Sequence, residues 1–155
     1  NPEPKPLHPN KIKPMKKDPV PLLAMRVRQD PDDLFSRFAL ALELLKRDQA
    51  SKAKTLFRSI LAKDPAMIGA YYHLGKTLER LGEADEARAI YREGIRQAKK
   101  VEDHHAKNEL SEALAMLNME LEDAEVEGME VEDAEVKGME VEDTELEDTK
   151  MEEES

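Results

Sequence analysis

Cysteine is absent from the 155 residues, which excludes a disulfide scaffold, a thiol nucleophile and a cysteine-ligated metal site. No apolar run approaches the roughly 18 residues that a membrane span needs, so we do not expect a membrane as partner. No segment resembles a secretory signal peptide. These absences leave the compartment open, with the cytoplasm favoured.

Charge is divided unevenly along a chain whose formal net charge is −11. Residues 1–30 carry seven basic and three acidic side chains, residues 31–118 carry fifteen and fourteen, and residues 119–155 carry two and eighteen. A nucleic-acid-binding domain concentrates basic residues on its folded part, so the near-neutral middle argues against nucleic acid as partner. The sequence predicts a basic arm (1–30), a folded domain (31–118) and an acidic tail (119–155).

The arm contains seven of the nine prolines, all within residues 1–21. Each proline removes a backbone donor and moves the preceding residue away from the helical region. We therefore predict an extended or disordered arm whose apolar end touches the first helix of the domain. That apolar end consists of Leu22, Leu23, Ala24, Met25 and Val27.

Apolar residues recur with a helical period after Asp30 and predict about five helices. Asp30-Pro31 and Asp64-Pro65 each place a cap and a proline at a helix start, and Gly82 marks a helix end. The predicted inward faces are Leu34, Phe38, Ala41, Leu42 and Leu45; Ala53, Leu56, Phe57, Ile60 and Leu61; Met67, Tyr71, Leu74, Leu78 and Leu81; Ala87, Ile90, Tyr91 and Ile95; and Ala106, Leu110, Ala113, Leu114 and Leu117.

The domain repeats itself at an offset of 34 residues. Matched pairs are Phe38 and Tyr72, Leu40 and Leu74, Ala41 and Gly75, Leu44 and Leu78, Ala50 and Ala84, Ala53 and Ala87, Leu56 and Ile90, Phe57 and Tyr91, and Leu61 and Ile95. Paired helices with this period are typical of tetratricopeptide repeats. The motif Y-x-x-L-G-x-x-L from Tyr71 to Leu78, followed by Gly82, Ala87 and Tyr91, resembles that family, and the earlier copy resembles it more weakly.

The resemblance implies an all-α array of helical hairpins, with repeats at about 34–67 and 68–101 and a capping helix at about 103–118. Four residues depart from the family pattern. Arg37 replaces a large aromatic, Asp48 a turn glycine, Gly94 an alanine, and Lys99 a proline. These departures suggest an atypical first repeat and an array that stops at the second. Roughly three repeats are usually needed for a stable stack, so the array is either marginal alone or completed by a partner.

The sequence contains no motif typical of an enzyme active site. There is no phosphate-binding glycine loop, and the serines have no paired base. His104, His105 and Glu109 lack the spacing of a known metal site. We expect no enzyme activity, no metal and no cofactor.

In this family the first helix of each hairpin lines the concave face, which is the candidate groove. Repeat one contributes an apolar shelf and repeat two a polar, partly cationic wall, suited to a peptide with an apolar and an acidic side. The alternative is that the aromatic and leucine side chains of repeat one are core beneath the arm. The groove residues are Phe35, Phe38, Leu42, Lys46, Tyr72, His73, Lys76, Glu79 and Arg80.

The tail is a decapeptide repeat, AEVEGMEVED from Ala124 and AEVKGMEVED from Ala134, with a decayed copy from Thr144. Its acidic composition predicts disorder. It is either a polyanionic arm for basic partners or a solubilising tail.

The sequence therefore predicts a non-enzymatic adaptor that binds a protein or peptide of unknown identity. One alternative is a structural subunit of a larger assembly, or a module that self-associates into a homo-oligomer. Another is an acidic-tail chaperone for basic proteins, whose binding would fall as salt rises.

Overall fold

The computed structural model describes residues 2–4 and 17–154, with side chains through residue 129. This part of the chain forms six α-helices and no strand. The helices are α1 (Pro19–Gln29), α2 (Leu34–Lys46), α3 (Ala50–Lys63), α4 (Ile68–Arg80), α5 (Ala84–Lys100) and α6 (His104–Glu154).

Each helix packs on the next one along the chain, and α6 also contacts α4. The pairs α2/α3 and α4/α5 are the two predicted hairpins, and one continuous core runs through them. Its largest fully buried side chains are Tyr91, Phe57, Ile60, Leu74, Leu78, Leu110 and Thr77. The all-α hairpin array expected from the sequence is confirmed.

Helix α1 lies in the segment predicted to be extended, and that prediction is wrong for Pro19–Gln29. Pro19 occupies the first turn, where no backbone donor is needed, and Val20 N–H donates to the capping carboxylate of Asp18 at 2.9 Å. Burial of Leu23 and Val27 against the core outweighs the helix-breaking signal of the prolines. The expected contact with the first helix of the domain is present, whereas residues 5–16 of the arm lie outside the described residues.

The 34-residue period extends back into α1. Asp30 and Asp64 end α1 and α3 in the same way, donating their backbone N–H groups to the carbonyls of Arg26 (2.9 Å) and Ile60 (2.8 Å). The carboxylate of each then accepts from the N–H two residues later, at 3.0 Å in both cases. Helix α1 therefore corresponds to the second helix of a preceding hairpin.

The turns within the two hairpins share one geometry although their residues differ. Asp48 and Gly82 both have a left-handed backbone, with φ of 59° and 76°. The following N–H groups, of Gln49 and Glu83, reach back to the carbonyls of Leu44 and Leu78 at 2.9 Å, which closes each helix end. Aspartate tolerates the left-handed region better than most residues, so it substitutes for the glycine of the family pattern.

Arg37 performs the task of the aromatic that it replaces. Its Nη2 donates to the carbonyl of Pro31 at 2.5 Å, and 34 residues later the hydroxyl of Tyr71 donates to the carbonyl of Pro65 at 2.7 Å. Arg37 is 8% exposed, and its Nη1 also donates to Ser59 Oγ at 3.1 Å. Its Nε is buried without a partner.

Helix α6 is longer than the predicted capping helix, because it continues through the acidic tail to Glu154. Leu110, Ala113 and Leu117 are buried, Leu121 is half-buried, and the side chains of residues 122–129 are exposed. Apart from Leu121, the described tail side chains thus lie outside the core, but on a helix rather than on irregular chain. Glutamate, methionine, leucine and alanine all favour helix, which lets the backbone remain helical without a core.

We expect Gly75→Ala to lower the free energy of unfolding by about 1–3 kcal/mol, because a Cβ at Gly75 would collide with the Tyr91 ring. Gly69→Ala is the matched control in the same helix, since its Cβ would lie 4.0 Å from Phe38 Cζ. Urea denaturation compares the two variants. Equal midpoints would show that the α4/α5 contact can relax.

We expect Arg37→Tyr to leave the free energy of unfolding unchanged or to raise it by about 1 kcal/mol, because the buried unpartnered Nε disappears while a donor to Pro31 is kept. Arg37→Leu removes both donors and should lower it by about 1 kcal/mol. Thermal unfolding of both variants tests the equivalence with Tyr71. A tyrosine variant less stable than the leucine variant contradicts it.

Candidate functional site

Helix α4 contacts both of the other helices in first positions, α2 and α6. Contact between α2 and α4 runs through the rings of Phe38 and His73, whose centroids are 5.5 Å apart, and α4 contacts α6 directly. A cavity of about 150 Å³ opens between α4 and α6. Its lining residues are Tyr72, Lys76, Glu109, Glu112, Ala113 and Met116.

The apolar shelf predicted on α2 divides into core and surface. Phe38 is half-buried and meets the Phe57 ring edge to face at 5.7 Å, and Leu42 packs against the core. Phe35 is 83% exposed. It lies two turns before Leu42, so both point to nearly the same side of α2. Phe38 and Leu42 thus support the core, whereas Phe35 is surface.

His73 belongs to an aromatic row rather than to a cationic wall. Its ring stacks on that of Phe57, with the ring centroids 6.0 Å apart. It meets the Tyr72 ring edge to face, with the centroids 5.5 Å apart. Burial lowers the pKa of His73, and the nearby negative charge of Glu109 only partly offsets this effect. The imidazole is therefore neutral at physiological pH and packs as a ring.

Lys76 and Glu79 form a charged pair on the groove side of α4. Lys76 Nζ lies 3.6 Å from Glu79 Oε2 and 5.9 Å from the centroid of the Tyr72 ring. Glu79 also accepts a hydrogen bond from the Tyr91 hydroxyl. Burial and this carboxylate raise the pKa of Tyr91, so the phenol stays protonated and the hydrogen bond is kept.

The two remaining predicted site residues lie away from the cavity. Arg80 Nη1 donates to the carbonyl of Leu45 at 3.1 Å, which ties the end of α4 to the end of α2. Lys46 is exposed and pairs with Glu43 at 3.0 Å. Arg80 has a structural role, and Lys46 marks the rim of α2.

Four residues of α6 line the cavity although the sequence did not assign them to it: Glu109, Glu112, Ala113 and Met116. Glu109 and Met116 immediately precede the buried Leu110 and Leu117, so a helical projection could have placed them beside the core face. Whether this side of α6 lies against α4 depends on Gly94. A Cβ there would lie 2.7 Å from Tyr71 Cβ and 3.0 Å from Leu110 Cδ1, so only glycine lets α4, α5 and α6 meet this closely.

Among the described residues, no group of three or more histidine, aspartate or glutamate side chains is arranged to hold a metal ion. No described helix combines the length and the apolar character needed to cross a membrane. His105 Nε2 lies 3.7 Å from Glu109 Oε1.

Comparisons with known proteins agree with this architecture. A family model described as tetratricopeptide repeat matches residues 44–110. A tetratricopeptide repeat domain protein from Salinibacter ruber is 43% identical, with a TM-score of 0.54, and the match covers 57% of this chain and 89% of that one. A comparison with curated proteins finds no significant match.

More distant structures share the fold. A protein from Bordetella parapertussis is 28% identical, with a TM-score of 0.60 over 67% of this chain and 90% of that one. The TPR2B domain of yeast Sti1, solved in complex with pHsp70, is 16% identical, with a TM-score of 0.61 over 65% and 81% of the two chains. Given the identity to the Salinibacter domain over most of its length, this chain belongs to the tetratricopeptide repeat family.

Proposed function

We propose that this chain is a non-enzymatic adaptor that binds a segment of a partner protein in the groove between α4 and α6. The observation that carries the proposal is the cavity of about 150 Å³, which is lined by apolar and charged side chains together. The fold accommodates such a partner, since the Sti1 domain that shares it was solved as a complex.

The charges of the groove favour a basic partner segment. Lys76 is already paired with Glu79, whereas Glu112 forms no ion pair among the described residues and Glu109 meets only His105. The unneutralised charge of the cavity is therefore negative. This differs from the acidic partner inferred from sequence, because the carboxylates come from α6.

Apolar contacts would accompany the charges. Met116 is 58% exposed at the cavity, and the Tyr72 ring forms its opposite wall. A lysine or arginine side chain at the two carboxylates can place an apolar neighbour between Met116 and Tyr72. The exposed Phe35 on α2 would extend apolar contact along the concave face.

We propose binding and no catalytic step in the groove. Of the site residues predicted from the sequence, His73 packs between rings and Glu79 accepts from the Tyr91 hydroxyl. These two side chains position the helices rather than move protons to a substrate.

The test uses peptides selected from a random display library against the full chain, with binding measured by fluorescence anisotropy at about 0.15 M salt. We expect basic, partly apolar sequences to be selected. The double variant Glu109→Lys/Glu112→Lys should bind them at least about tenfold more weakly, because opposite charges across an interface become like charges.

Glu122→Lys/Glu125→Lys is the matched control, since it makes the same charge change on α6 outside the groove and should retain binding. Lys76→Glu tests whether negative charge in the groove favours binding, and it should strengthen the binding of basic peptides. Selection of acidic peptides, or equal loss in the groove and control variants, contradicts the proposal. Arg80 is left unchanged because it holds the Leu45 carbonyl.

A further inference from the structure

The two ends of the array are complementary halves of a hairpin. Helix α1 ends in the same hydrogen-bonded turn as α3 and so corresponds to a second helix. Helix α6 contacts both α5 and α4, which is the position of a first helix. The described residues supply neither a first helix for α1 nor a second helix for α6.

The α1 end presents an apolar and basic surface. Leu22 is 48% exposed and Met25 is 42% exposed, although both lie on a helix whose other side is packed on α2. Arg26 and Arg28 of the same helix are also exposed. We call this surface, formed by Leu22, Met25, Arg26 and Arg28, the head.

The other end contains a cavity of about 230 Å³ between α5 and α6, lined by Arg88, Asn118, Leu121, Glu122 and Glu125. We call this surface, together with Arg92 of α5, the tail edge. Arg88 Nε is buried there without a hydrogen-bond partner. A buried donor without a partner is costly.

The internal repeat indicates what fits at the tail edge. Lys54 of α3 pairs with Glu83 at 2.8 Å, and Arg58 of α3 pairs with Glu86. These two ion pairs hold the start of α5, which is the next second helix of the array. Arg88 and Arg92 lie 34 residues after Lys54 and Arg58. Neither forms an ion pair within the described residues. The pattern calls for a further second helix that begins with an acidic residue.

Helix α1 has these properties. Its capping residue Asp18 lies 68 residues, or two periods, before Glu86. A second copy of α1 placed on the tail edge would therefore bring Asp18, whose carboxylate also accepts from Arg47 of its own chain, towards Arg92, as Glu86 meets Arg58.

We propose that copies of this chain associate head to tail, with the head of one copy packed on the tail edge of the next. The contact completes a hairpin from α6 of one copy and α1 of the other, and it continues the array across the junction. Such an interface uses two different surfaces and leaves one of each free at the ends. Association is therefore open-ended rather than limited to a dimer.

Analytical ultracentrifugation of the full chain tests this directly. We expect the mass to rise with concentration beyond that of two chains. The head variant Leu22→Glu/Met25→Glu and the tail variant Arg92→Glu/Asn118→Glu should each remain at the monomer mass of 17.6 kDa. An equimolar mixture of the two should form a two-chain species and stop there, because one intact head meets one intact tail edge.

The mixture also shows that both variants are folded, since each must supply a working surface. The groove variant Glu109→Lys/Glu112→Lys should associate like the unmodified chain, which separates this result from the peptide-binding proposal. A chain that stays monomeric up to about 0.5 mM, where even millimolar affinity becomes visible, overturns the proposal. A dimer that forms despite either variant also overturns it.

Discussion

The structure depends on two close helix contacts that only glycine permits. Gly75 of α4 lies against the Tyr91 ring of α5, and Gly94 of α5 lies against Tyr71 and Leu110. Side chains at these positions would separate α4, α5 and α6, because protein interiors have almost no spare volume. The buried rings of Tyr71 and Tyr91 fill the space that the absent side chains leave, so each contact joins a small residue to a large one.

The groove is a consequence of these contacts. Because Gly94 lets α6 approach α4, Glu109 and Glu112 come to line the same cavity as Lys76 and Tyr72. The charge of the groove is thus set by a helix outside the two recognisable repeats. A helix that serves as a cap for the core also provides one wall of the proposed binding site.

Departures from the repeat pattern are compensated locally. Arg37 donates to the carbonyl of Pro31 as Tyr71 donates to that of Pro65, and Asp48 adopts the left-handed backbone that Gly82 adopts. Both replacements keep the hydrogen bonds that close a hairpin. Because these hydrogen bonds are kept, the first repeat is a complete hairpin with altered residues. The change at Arg37 has one remaining cost, since its buried Nε has no hydrogen-bond partner.

The sequence by itself determined the helical class, the 34-residue period and most of the inward positions of α3, α4 and α5, because apolar spacing and turn residues act locally. The sequence was wrong in part about the inward face of α2, since Leu40 and Leu44 are buried there while Phe38 and Leu42 are only partly buried. It did not determine α1, since the burial of Leu23 against α2 outweighs prolines that locally oppose a helix. Nor could it show that His73 is a packed ring or that Glu109 lines the groove, because both depend on which helix lies alongside. The tertiary structure decided these points: contacts between residues far apart in sequence set burial and charge environment, and local patterns do not encode them.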